Sequence, residues 1–134
     1  MSSHQDEHKF PNEPSRFEKN NIDALLVYAN QINASDITIQ TGEAIFAEIY
    51  GRLHKITNRK LTNSEVGNLL NAIYGPNGTT QIQSGDDIDT HYEVRPNHNE
   101  RYRHRVNGVG CYVDGQEGIQ ITIRTIPTNP PSLS

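Results

Sequence analysis

Between residues 22 and 32 the large apolar side chains are Ile22, Leu25, Leu26, Ala29 and Ile32, with polar residues filling most of the gaps. That spacing lays one apolar stripe along a helix. Asn20 or Asn21 is suited to cap it, and the run Asn33-Ala34-Ser35-Asp36 ends it. The period then shortens. Ile37 and Ile39 alternate with Thr38 and Gln40, Ile45 to Tyr50 alternates again, and a third short strand is expected around Leu53 to Thr57. Turns at Thr41-Gly42-Glu43 and Gly51-Arg52 make this a meander.

The helical period returns at Leu61-Thr62-Asn63-Ser64-Glu65-Val66, which has the form of a capping box with Leu61 and Val66 at its two staple positions. Val66, Leu69, Leu70 and Ile73 give that helix its core stripe, and Gly75-Pro76 stops it. A short helical turn is expected near Asn77 to Ile82. Alternation resumes in Asp87 to Val94, with Ile88, Thr90, Tyr92 and Val94 on one face and Asp87, Asp89, His91 and Glu93 on the other. Arg101, Arg103 and Arg105 share a strand face, and Tyr102, His104 and Val106 share the opposite one. If the two runs form a hairpin, Tyr92 must lie with Tyr102 and His104. Pairing Glu93 opposite Arg103 satisfies this and leaves a loop of five residues. A separate short strand is expected around Cys111-Tyr112-Val113 before a tight Asp114-Gly115 turn. In the last strand Ile119, Ile121 and Ile123 face one way and Gln120, Thr122 and Arg124 the other. The architecture expected is α+β: an antiparallel sheet of about six strands with two to three helices on one face.

A chain of 134 residues fits one domain. Apolar residues make up 33% and mean hydropathy is -0.73, partly because residues 1–20 carry few large apolar groups. Those twenty residues read as a flexible or loosely docked tail, residues 21–126 as the folded domain, and 127–134 (PTNPPSLS) as the start of a proline-rich linker. The formal net charge is -4, which argues against a general nucleic-acid coat. A single cysteine, Cys111, excludes an internal disulfide and fits a reducing compartment. There is no apolar run of membrane-spanning length and no signal-peptide core, so a cytoplasmic location is expected.

Enzymatic signatures are missing. Gly75-Pro76-Asn77-Gly78-Thr79-Thr80 is glycine-bearing but lacks the lysine of a phosphate loop. His4, His8, His54, His91, His98 and His104 show no metal-ligand spacing. Cys111 reads as a half-buried small apolar residue rather than a nucleophile, and Asp86, Asp87 and Asp89 as a solvated strand face. The arginines carry more. Neighbours on one strand face, about 6.5–7 Å apart, repel by roughly 2 kcal/mol at an effective dielectric near 20. Glu93 and Asp89 can neutralise two of the three, while Arg124 and Arg95 add to the same field. Such a face holds either ion pairs alone or ion pairs together with a phosphate ligand, which guanidinium forks bind bidentately.

Three segments in this order resemble the N-terminal domain of PilT-like secretion and pilus-retraction ATPases, whose pattern runs ASDLHL, then RFRVN, then FRTIP. They are Ala34-Ser35-Asp36-Ile37-Thr38-Ile39, Arg103-His104-Arg105-Val106-Asn107 and Ile123-Arg124-Thr125-Ile126-Pro127. The likeness spans Asn21 to Pro131. The segments AEIYGRLHKIT, LNAIYGPNGTTQI and DTHYEVRP are similar to the DotB/TraJ branch, which serves type IVB secretion and conjugative plasmid transfer. The resemblance implies a PAS-like sheet domain tethered by a flexible linker to a RecA-like motor. It also implies a homohexameric ring with ATP and magnesium held between the domains, docked with other secretion proteins at the inner membrane and without direct nucleic-acid contact.

By position, the resemblance makes Arg105 and Arg124 arginine fingers and Arg103 a further nucleotide-binding residue, all effective only beside the motor. The chain has no Walker motif, so hydrolysis by this chain alone is not expected, nor is tightly held ATP. His104 departs from the aromatic usual at its place, which loosens the expectation of a core there. Two other readings compete: a PAS-like small-ligand sensor or interaction domain, and a single-stranded nucleic-acid platform stacking bases on Tyr102 or Tyr112. The second conflicts with Tyr102 alternating away from the arginines.

Overall fold

A computed structural model of the chain describes residues 8–127. The elements in order are α1 (Asn21–Gln31), β1 (Ala34–Gln40), β2 (Phe46–Ile49), β3 (Arg52–Lys55), α2 (Asn63–Tyr74), α3 (Gly78–Gln83), β4 (Ile88–Asn97), β5 (Glu100–Val113) and β6 (Gln116–Ile126). The six strands form one sheet in the order β3-β2-β1-β6-β5-β4, and every neighbouring pair is antiparallel. Two three-stranded meanders, one from each half of the chain, are thus joined at the centre by β1 and β6. This is the α+β arrangement the patterning predicts, PAS-like as the resemblance implies, with the three helices on one face.

The helix-side face is apolar because of strand alternation. Ile37 and Ile39 of β1, Ile121 and Ile123 of β6 and Val106 of β5 are all buried against Leu25, Leu26, Leu69 and Leu70. The capping box forms as the sequence predicts. Thr62 Oγ1 accepts from the Glu65 amide at 3.2 Å, and Glu65 Oε1 accepts from the Thr62 amide at 2.9 Å. Leu61 and Val66 are both buried beside it. Asn20 occupies the α1 cap position without a side-chain cap bond, while Asn21 Oδ1 accepts from the Glu18 amide at 2.7 Å.

Four expectations are corrected. The strand around Cys111 is not separate, because β5 runs unbroken for 14 residues from Glu100 to Val113. Gly108 and Gly110 inside it are not turn residues. They sit where α2 and α3 approach the sheet, and a Cβ on Gly108 would lie 3.3 Å from Leu70 Cδ1. The loop between β4 and β5 is shorter than expected. Glu93 does face Arg103, but pairing continues past an irregularity after Val94 to Asn97↔Glu100, leaving His98 and Asn99 to turn. The third strand is Arg52–Lys55 rather than Leu53 to Thr57, since Ile56 and Thr57 leave the ladder to pack inward. Tyr50 and Gly51, both at positive φ, form the two-residue turn before it.

The fourth correction concerns residues 8–20, which are docked rather than loose. Phe10 and Phe17 are buried and stack with ring centroids 6.2 Å apart. The Phe10 amide donates to Ile56 O at 2.8 Å. Phe10 and Phe17 are the segment's only buried large apolar side chains among the described residues, a signal too sparse to outweigh its polar composition. Residues 1–7 and the linker beyond Pro127 lie outside the described residues.

Candidate functional site: an arginine row on the open sheet face

The face away from the helices carries one charged row. Register places Asp36 opposite Glu48 on one side and Arg124 on the other. Arg124 in turn faces Arg105, and Arg105 faces His91. The sequence placed Arg105 and Arg124 on the solvent side of their strands, but their direct opposition follows only from the β5–β6 register. Arg103 lies one pleat along, between Glu93 and Ile126. All three arginines expected from the sequence therefore share one surface.

Each member of the central pair has its own carboxylate. Arg105 Nη2 and Nε donate to Asp89 Oδ2 and Oδ1 at 3.2 and 3.4 Å. Arg124 Nε donates to Asp36 Oδ1 at 3.0 Å. These pairs are open to solvent: the side chains of Arg105 and Arg124 are 58% and 72% exposed. The hydrogen bonds and charge of Asp89 push the Arg105 pKa up, so the guanidinium stays charged. Glu93 accepts from Arg95 Nε at 2.7 Å and lies 4.0 Å from Arg101. The Arg95 bond holds its carboxyl below the usual range, outweighing desolvation, and the charges of Arg95, Arg101 and Arg103 add to it. Arg103 makes no ion pair within 4.0 Å among the described residues.

Behind this row the inner face is tied down by His104. Its ring is fully buried despite the departure from an aromatic residue, so the core reading of that face stands. Nδ1 lies 3.1 Å from Tyr92 O and Nε2 3.0 Å from the Asn30 side-chain amide. Asn30 Nδ2 can only donate, so Nε2 accepts and Nδ1–H donates to the carbonyl. Burial pushes the His104 pKa down, against the Tyr92 carbonyl bond. The neighbouring β5 positions, Arg103 and Arg105, are thereby carried on a strand whose inward side chain is bonded at both nitrogens.

A second polar cluster was only half legible in the sequence. Glu65, the capping-box residue, also accepts from the Phe17 amide at 2.8 Å and from Arg59 Nη2 at 2.9 Å. Burial alone would raise its pKa. The bonds from Arg59, Thr62 and Phe17 outweigh that and lower it to about 2. Glu13 accepts from the amides of Asn58 and Arg59, and Arg59 Nη2 also donates to Pro14 O at 3.0 Å. Nothing in the spacing of Glu13 and Arg59 announces this latch.

Other candidates carry less. The Cys111 thiol is half-buried and burial pushes its pKa up, the reverse of an activated nucleophile. A cleft of about 290 Å³ lies near the β5–β6 turn, lined by Ile82, Asp87, Cys111, Tyr112 and Glu117 among others. Tyr112 faces the helix side and stands apart from the arginine row. Among the described residues no three His, Cys, Asp or Glu side chains gather as metal ligands, and no helix is long and apolar enough to cross a membrane.

No protein-family model matches the chain, and no curated protein does. Solved structures do. DotB, an ATPase of Legionella pneumophila, is 64% identical over 92% of this chain, with a TM-score of 0.87. The chain belongs to the DotB branch of the PilT-like ATPases and corresponds to an N-terminal domain of that family. The DotB ATPase of Yersinia pseudotuberculosis is 30% identical over 91% of the chain, with a TM-score of 0.82. The pilus retraction motor PilT, solved with ADP, is 20% identical over 82% of the chain with a TM-score of 0.60, which shows a shared fold. The chain spans about 34% of each DotB structure. Within the DotB-branch domain, the arginine row lies on the sheet face that the helices leave open.

Proposed function

We propose that this chain is the nucleotide-facing N-terminal domain of a hexameric ATPase that powers type IVB secretion or conjugative transfer. Arg105 and Arg124 serve as arginine fingers toward the γ-phosphate of ATP, held with magnesium by a RecA-like motor domain. Arg103 adds a further phosphate contact. The observation that carries this reading is the direct opposition of Arg105 and Arg124 on an exposed sheet face.

The role suits these residues. A finger must stay charged, offer a planar fork and sit on a rigid element, and paired β-strands supply the rigidity. An arginine of this kind contributes about 10³–10⁵ in rate. Homohexamer assembly, rocking of the domain about the linker at 127–134 and a cytoplasmic place against the inner-membrane secretion complex belong to the same proposal.

The test uses a protein in which this domain is joined to its motor. Arg105→Ala and Arg124→Ala should each lose most of the ATP turnover while binding of ATP persists. Normal hydrolysis by both variants would end the finger assignment.

A further inference from the structure

The placement of Asp36 and Asp89 is more specific than neutralisation requires. Arg105 and Arg124 are Cα partners on adjacent strands, so their side chains start roughly 5 Å apart, a destabilising position for like charges. One carboxylate between them would quench both. The acids instead lie on the two far sides. Asp36 stands on β1 beyond Arg124, and Asp89 on β4 beyond Arg105. Each draws its guanidinium outward, away from the other arginine. The gap between the two forks is left lined by positive charge, with carboxylates at its outer margins.

We propose that Asp36 and Asp89 are resting partners of the arginine pair. They hold the two guanidinium groups apart while no anion is present, and they yield them to the oxygens of a polyphosphate seated between the forks. They are positioning residues, acting through Arg105 and Arg124 rather than on the phosphate. The inference rests on reading this face as a triphosphate site and adds its control.

Exchange is easy because both ion pairs are wet, and pairs of that kind hold weakly. A polyphosphate offers several charged oxygens to two forks at once, which a single carboxylate cannot match. The two holds differ. Asp36 is 21% exposed and its Oδ2 accepts from Ser35 Oγ at 3.2 Å, whereas Asp89 is 58% exposed. Arg124 is thus held by one bond to the better-buried carboxylate, and Arg105 by two bonds to the more exposed one.

The experiment titrates this chain with inorganic tripolyphosphate and follows the arginine Nε–H signals by NMR. The Arg105 and Arg124 signals should move. Asp36→Asn and Asp89→Asn should each tighten binding by about twofold to fivefold, the range set by an exposed ion pair. Asp36→Glu and Asp89→Glu, which keep the charge, should bind as the unaltered chain does. Adding Arg124→Ala to Asp36→Asn should abolish the gain. Asp114→Asn makes the same charge change in the distant β5–β6 turn and should leave affinity unchanged.

Binding that is unaltered or weaker in both Asp→Asn variants would overturn the proposal. So would equal tightening by Asp114→Asn, or no binding by any of these chains. The finger assignment is judged separately, on turnover by the motor-bearing protein, so the two failures are told apart.

Discussion

The His104 ring and the Asn30 side chain meet at 3.0 Å inside the helix–sheet interface, and the bond fixes His104 as a neutral base. Its folded pKa lies below the ordinary value of about 6.5. The unfolded chain takes up a proton there as pH falls below about 6.5 while the folded chain does not. Stability should therefore fall on acidification from neutral, by up to about 1.4 kcal/mol per pH unit, until the folded pKa is reached. Urea unfolding between pH 8 and pH 5 reads this. His104→Phe should flatten the profile and cost about 1–3 kcal/mol, since it strips the Asn30 amide and the Tyr92 carbonyl of a partner.

Glu65 acts in the same direction over a lower pH window, by keeping its charge where His104 stays neutral. Its folded pKa, about 2, lies beneath its unfolded value. The stabilisation is fully present above the unfolded pKa of roughly 4.3 and is lost as pH falls toward 2. Arg59→Ala removes the ion-pair partner of this buried carboxylate and should destabilise by about 3 kcal/mol at neutral pH. It should also expose residues 8–20 to limited proteolysis, because Arg59 and Glu65 both bond that segment.

The two glycines inside β5 should respond differently to substitution. Gly108→Val must displace Leu70 and should cost about 1–3 kcal/mol by thermal or urea unfolding. At Gly110 a Cβ would meet Ile82 Cγ2 at 3.5 Å, an ordinary contact, so Gly110→Ala should be neutral or mildly stabilising.

Arg105→Ala and Arg124→Ala should change folding stability by under about 0.5 kcal/mol, as expected for exposed ion pairs away from the core. Denaturation midpoints within that margin would assign any loss of turnover to chemistry rather than unfolding. A larger drop would mean that the row supports the sheet.

Tyr50 adopts φ 50 at the first position of the β2–β3 turn, with Gly51 at φ 78 following. That geometry favours Asn-Gly, and the Tyr50 ring is 84% exposed with no packing to compensate. Tyr50→Asn should stabilise the domain by about 0.5–1 kcal/mol in the same unfolding assay.

Strand faces were legible because alternation has a period of two: Ile37, Ile39, Ile121 and Ile123 point inward as their spacing requires. The hairpin register between Glu93 and Arg103 followed from keeping Tyr92 on the face of Tyr102 and His104. The capping box was legible because its four positions are local. What escaped was set by tertiary contact. Gly108 and Gly110 read as a break until helices are packed over them, and Phe10 and Phe17 read as strays in a polar tail until Ile56 is seen bonding the first and Glu65 the second. At the arginine row, residue types and faces came from the sequence. The opposition of Arg105 to Arg124 and the outward pull of Asp36 depend on β1, β5 and β6 meeting, and no single segment encodes that.

The central seam of the sheet joins its first strand to its last, with Thr38 beside Thr122 and Asp36 beside Arg124. A ribosome delivers β1 early and β6 only after nearly all of the described chain has emerged. Until then β1 has an open edge, and the acid that restrains Arg124 has nothing to restrain. The opposition of Arg105 to Arg124 is therefore completed only when β6 docks, and nascent chains stalled before Ile119 should lack any anion affinity that depends on that pair.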